Sequence, residues 1–353
     1  MSLVCRVAII CLGLSSWSHP ARGQDAPDPL ATLQARETLS DEDTANLRAW
    51  ITERVATLGG DDAVMAQQAF TELRGALKGT AGFQQSYTTL CIEIIGARYK
   101  NMPLVPAARL LTLLNLFDNI RGLDVLLDAL GDQRAALRAT AVVALRKLQP
   151  KIAPNPEAYN RVVAALRDAG KTESAREVLQ LIYRALEYSR VQPPPDLKIA
   201  ATGMLEVLAE RAKQFGEKKV RAEGADAVGF KVATTLRTAL EGPGQTQYTN
   251  ILARALHYAV IRYTQGETPL GKVSDKTGGG DEIALRDATE LLIRESERQL
   301  TELLKPEDAP NVTQKMQAAN LTEMVNEMGR WILIFKDKLN LDLPMQNEPP
   351  GNG

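Results

Sequence analysis

The chain has 353 residues, with 42 Lys and Arg set against 43 Asp and Glu, for a net charge of −1. So even a balance argues against a nucleic-acid binder or a polybasic membrane module, both of which need concentrated positive charge. Three cysteines, two histidines and an aromatic content of 5% leave little material for disulfides, metal sites or sugar-stacking platforms.

Residues 1–23 have the pattern of a secretory signal peptide. Arg6 supplies the positive start, Val7 to Leu14 form an apolar run too short to span a bilayer, and the chain is polar from Ser15. Ala21-Arg22-Gly23 places small residues where a signal peptidase reads, so cleavage is expected near Gly23, with the mature chain starting at Gln24. Ile10 stands before Cys11 where a lipoprotein needs a small residue. The expected location is outside the cytoplasm, periplasmic or extracellular. No later segment approaches 18 consecutive apolar residues, so no membrane span is expected in the mature chain. Cleavage removes Cys5, Cys11, Arg6 and Arg22, leaving 40 basic and 43 acidic side chains, a net charge of −3. Cys91, alone in TTLCIEIIGARY, reads as a small buried hydrophobe.

Residues 24–39 read as a flexible lead-in. Ser40 with Asp43 resembles a capping box, and Leu47, Trp50, Ile51, Val55 and Leu58 follow at helical spacing up to Gly59-Gly60. A second helix runs to about Leu77. Further helices are expected near 84–98, 103–118, 123–130, 134–148, 157–168, 172–189, 196–215, 223–240, 246–264, 282–304 and 312–338. Proline and glycine break the ladder at Gly79, Pro150 to Pro156, Pro193 to Pro195, Gly242 to Gly244 and Pro306 to Pro310. No segment alternates with period two. Residues 40–340 are therefore expected to form one all-α domain of five or six antiparallel helix pairs. The last helix is expected to be the longest and to cap the end, with Trp331 and Trp50 in the core and 341–353 as a disordered tail.

The stretch from Gly122 to Leu148 says most about architecture. Leu123, Leu126, Leu127 and Leu130 line one short helix, and Leu137, Ala141, Ala144, Leu145 and Leu148 line the next. Two such helices cannot bury these faces against each other alone and need neighbours of the same kind. Asp132 in the turn, Leu137-Arg138, Ala141 and Ala144-Leu145 resemble the second-helix pattern of HEAT repeats, including the bacterial HEAT-like type. A weaker copy lies at Ala175-Arg176, Leu179 and Ile182-Tyr183, its arginine 38 residues beyond Arg138. A third echo, Met65, Ala69 and Leu73 after Asp61-Asp62, has Ala66 in place of the arginine. The resemblance implies a right-handed α-solenoid of stacked antiparallel helix pairs. It also implies a structural ladder between repeats carried by Asp132, Arg138 and Arg176, with Ala141 and Ala144 at a close helix contact.

Residues 264–281 break the rhythm. Gly266 to Val273, GETPLGKV, nearly matches a phosphate-binding P-loop, but Val273 replaces the hydroxyl residue that would hold Mg²⁺, and a helix precedes it instead of a strand. A linker is the better reading. The one mature histidine, His257, reads as half-buried on its helix, and no GxSxG elbow accompanies it. Glu206/Glu210 and Glu290/Glu297 could share helix faces, as solvated pairs. No catalytic, cofactor-binding or metal-ligating residue is assigned. The expected role is a non-catalytic scaffold that binds a protein partner and no nucleic acid. The alternatives are a carbohydrate-active enzyme on an α/α toroid and a protein resembling the bilin-lyase branch of HEAT-like proteins, for which no specific motif is present.

Overall fold

A computed structural model of the protein describes residues 29–117, 119–221, 224–266 and 280–344. The signal-peptide reading of 1–23 falls outside them. Helices are the only regular structure among the described residues, in the order α1 (Pro29–Gln34), α2 (Asp41–Leu58), α3 (Ala63–Gly75), α4 (Ala81–Arg98), α5 (Leu104–Leu116), α6 (Leu123–Ala129), α7 (Ala135–Lys147) and α8 (Gln149–Ile152), then α9 (Pro156–Thr172), α10 (Arg176–Ala185), α11 (Leu197–Gly216), α12 (Gly224–Leu236), α13 (Gly242–Thr264), α14 (Gly280–Leu304), α15 (Val312–Gln317) and α16 (Leu321–Leu339). None of the described helices is long and apolar enough to cross a membrane.

Polar side chains start several of these helices, at Ser40 as the sequence reading expects. Ser40 Oγ accepts from the Asp43 N–H at 3.1 Å while Asp43 Oδ2 accepts from the Ser40 N–H at 3.1 Å, completing the capping box of α2. Asp62, Thr80, Asn155, Asp196, Asn311 and Asn320 cap α3, α4, α9, α11, α15 and α16 without the reciprocal bond, each side chain accepting from one or two backbone N–H groups that the helix leaves open.

Consecutive helices pair, and each pair leans on the next. Helix α2 packs on α3 and α4, α4 on α5 and α6, and α6 on α7; α9 packs on α10 and α11, α11 on α12 and α13, and α13 on α14 and α16. The second members also touch along the chain: α3 with α5, α5 with α7, α7 with α10, α10 with α12, and α12 with α14. Short α8 bridges α7 and α9. The apolar stripes meet between these helices, so Leu47, Ile51, Leu110, Leu137, Leu145, Ile182 and Leu256 are all fully buried. Ala141 and Ala144 are at 0% exposure on α7, which packs against α5, α6 and α10.

Four expectations change at the ends. The lead-in is not flexible from Pro29 onward: α1 buries Leu30 and Leu33, and Thr80 N–H donates to Gln34 O at 2.9 Å. Gly82 makes that docking possible, since a Cβ there would lie 1.6 Å from Glu37 O. The helix expected over 312–338 is two helices, α15 and α16, separated at Ala319 (φ +54°), because Asn320 caps a new start. Nor is the last helix the longest; α14, with 25 residues, exceeds α16, with 19. Finally, residues 341–344 are not part of a disordered tail: Leu341 and Leu343 are buried after the left-handed turn at Asn340, and the rest of the expected tail, 345–353, lies outside the described residues.

Candidate functional site

Of the expected ladder residues, Asp132 lies in the turn between α6 and α7, Arg138 on the first turn of α7, and Arg176 at the start of α10. Asp132 Oδ1 accepts from the backbone N–H of Arg134 at 2.8 Å, and the same carboxylate holds the Arg134 guanidinium at 2.9 Å. Arg134 then reaches back to Met102 O at 2.7 Å, in the preceding turn. Arg138 does not pair with the Asp132 carboxylate, which Arg134 occupies. It donates instead to the backbone oxygens of Asp132 and Gln133, and with Nε and Nη2 to the two oxygens of Glu173, both at 2.7 Å. These bonds hold the Arg138 pKa above its ordinary value, with the Glu173 hydrogen bonds the main cause.

Glu173 is the residue that sequence reasoning missed. It stands before α10 as Asp132 stands before α7, and its Oε1 accepts from the Ala175 N–H at 2.7 Å just as Asp132 accepts from Arg134. The shift between the two turns is thus 41 residues, and it carries the buried Leu137, Ala141, Val142, Ala144 and Leu145 onto the buried Val178, Ile182, Tyr183, Ala185 and Leu186. The 38-residue register that paired Arg138 with Arg176 is off by three. Arg176 is exposed at the start of α10 and makes no ladder bond among the described residues; Leu179 occupies the position of Arg138.

The chemistry-bearing residues are placed for structure. His257 is fully buried on α13, not half-buried, and neither ring nitrogen has a hydrogen-bond partner among the described residues. Burial pushes its pKa down to about 4. Burial also pushes the Cys91 thiol up to about 12, far from the thiolate that a nucleophile requires. Glu297 is buried and accepts from the N–H groups of Val312 and Thr313 at 2.7 Å and from Trp331 Nε1 at 3.0 Å, so it pins α14 to α15 and α16. Glu290 takes Tyr263 and Arg286, Glu206 takes Lys171, and Glu210 takes Gln214. Trp331 is fully buried, and Trp50, half-buried, lies under the Arg54 guanidinium at 4.5 Å. The near P-loop falls, apart from Gly266, outside the described residues. Among the described residues no group of three or more His, Cys, Asp and Glu side chains is placed to hold a metal ion.

One concave feature joins two helix pairs on the surface. A groove of about 510 Å³ runs between α11 and α13. Its α11 side carries Ala209, Ala212, Lys213, Gly216 and Glu217, and its α13 side carries Gln247, Asn250, Ile251, Arg254 and Tyr258. The spacing on α13 follows one helical face. Tyr258 lies directly over Gly216, where an added Cβ would come within 2.6 Å of the ring. The small residues on α11 therefore make the depression, and Tyr258 closes one end. Comparison with family models, curated proteins and solved structures gives no match to this chain.

Proposed function

We propose that the protein is an exported, non-catalytic helical-repeat scaffold, a right-handed HEAT-like α-solenoid whose work is to hold a protein partner. One observation carries the reading. The turns inside successive helix pairs are linked in series, each to its neighbour. Arg134 binds the turn at Lys100 and Met102, Arg138 binds Glu173, Gln214 Nε2 donates to Lys171 O at 3.1 Å, and Arg262 donates to Phe215 O and to Val220 O. Nearest-neighbour coupling of this kind supports a quasi-one-dimensional stack, in which successive helices offer rows of side chains to a partner. The burial of His257 and Cys91 and the structural engagement of Glu297 and Glu290 favour recognition over catalysis.

Two measurements test the proposal. Small-angle scattering should give a radius of gyration clearly above the roughly 20 Å of a globular chain of this length, with an elongated distance distribution. A compact envelope would sink the solenoid reading and favour a closed toroid. Affinity capture with the tagged, exported protein should then return a partner whose binding is lost on charge reversal along one face, and N-terminal sequencing of the exported chain should begin at Gln24.

A further inference from the structure

We infer that the α11–α13 groove takes an acidic peptide segment of the partner, with its carboxylates held by Lys213 and Arg254. The inference rests on the scaffold reading above and assigns it a site and a partner chemistry.

The charge of the groove is one-sided. Lys213 and Arg254 are exposed on opposite walls, and neither forms an ion pair among the described residues. Elsewhere on the surface Lys171 is engaged by Glu206, Lys198 by Glu241, Arg161 by Asp124 and Arg48 by Glu93. The one acid in the groove, Glu217, is held by Lys219 at 2.8 Å, so its charge is already matched. The groove therefore presents the positive charges of Lys213 and Arg254 beside a single carboxylate, Glu217, whose ion pair is with Lys219 and on which Lys213 acts more weakly. Charge complementarity selects an anionic occupant.

Shape and hydrogen bonding select a peptide among anions. The small residues of its α11 wall, Ala209, Ala212 and Gly216, allow a main chain to come close. Gln247 brings an amide that can both donate and accept, matching the N–H and C=O of an extended chain, and Asn250 brings a second amide. The Asn250 Oδ1 is turned away from solvent and accepts no hydrogen bond among the described residues, so of this amide it is the Nδ2 group that is left to face an occupant. Ile251 and Tyr258 add apolar contact for a neighbouring side chain.

The test uses the mature full-length chain and a fluorescein-labelled peptide, Gly-Ser-Glu-Asp-Glu-Asp-Gly-Ser, followed by fluorescence polarisation at low salt. Saturable binding is expected, weakened about tenfold or more by Lys213→Glu with Arg254→Glu, weakened further at high ionic strength, and absent for the Lys/Arg counterpart peptide. Both substituted side chains are exposed, so an unchanged melting temperature verifies the fold. Asn250→Ala should weaken binding with the cations intact. The proposal is overturned if the peptide does not bind, if the double reversal leaves binding unchanged, or if inorganic phosphate displaces the peptide as well as an unlabelled copy does, which would make the site a small-anion site. A partner captured equally by wild type and the double reversal would overturn the groove assignment while leaving the scaffold reading intact.

Discussion

Arg138 and Glu173 form a two-point ion pair across successive helix pairs, with both N–H···O distances at 2.7 Å and side-chain exposures of 17% and 2%. The carboxylate is thus nearly sealed from water, and its two donors at this geometry are what make its charge tolerable there. The same carboxylate caps the Ala175 N–H, so one residue fixes both the local turn and the neighbouring repeat.

Arg138→Ala removes the guanidinium and leaves Glu173 buried with a single N–H partner. Stability should fall by roughly 1–3 kcal/mol, read from urea or thermal unfolding. Glu173→Gln should cost less, because the amide can still accept from the Ala175 N–H. A double-mutant cycle over the two positions should show strong coupling. Additive effects would mean that the two side chains act separately.

Ala141 has no room beside it, being fully buried where α7 meets its neighbours. Ala141→Leu should overpack the contact and cost roughly 1–3 kcal/mol. Val143, on the opposite face of α7 and 45% exposed, is the control: Val143→Ala should change stability by about 0.5 kcal/mol or less. Equal effects at the two positions would show that the helix is rotated from the orientation described.

Gly82→Ala probes the docking of the segment before α2. A methyl group there meets the backbone of Glu37, which cannot swing aside as a side chain tip would. The segment 29–39 should detach, exposing Leu30 and Leu33 and making it sensitive to limited proteolysis. Protease resistance equal to that of the wild type would show that this segment is not held through Gly82.

The sequence carried the fold well wherever an apolar stripe kept helical spacing, as from Ser40 to Leu58, where a capping box also marks the start, and from Leu123 to Leu148. It failed where one contact outside the local pattern decided the outcome. Nothing near Pro29 announces that Gly82 leaves space for it, and the break at Ala319 is hidden because 312–338 keeps a helical period across it. The ladder was half legible. Arg138 was identified, but its partner lies 35 residues away, and the alignment through Arg176 followed arginine identity when the turn carboxylates Asp132 and Glu173 carry the true register. The groove was invisible for a related reason: Ala209, Ala212 and Gly216 read as ordinary helix residues until α13 is seen beside them, with Tyr258 over Gly216.

His257 makes stability depend on pH. Its imidazole is fully buried without a hydrogen-bond partner among the described residues, and desolvation pulls its pKa from 6.5 down to about 4. Between those values the unfolded chain binds a proton that the folded chain refuses. The unfolded state therefore gains as pH falls. Stability is fully present above about pH 6.5 and is lost progressively down to about pH 4, by about 3 kcal/mol for a shift of this size. Carboxylates held below their ordinary range, such as Asp132 with Arg134, add their own loss, centred lower on the pH scale. His257→Leu separates the two contributions, since it keeps the carboxylates and removes the imidazole. Urea unfolding of wild type and His257→Leu from pH 7.5 to pH 4 should give a stability difference that grows in the variant's favour as the pH drops through 6.5. A difference that stays flat over that range would show that the imidazole is charged or hydrated in the folded protein, and that the space around His257 is not dry.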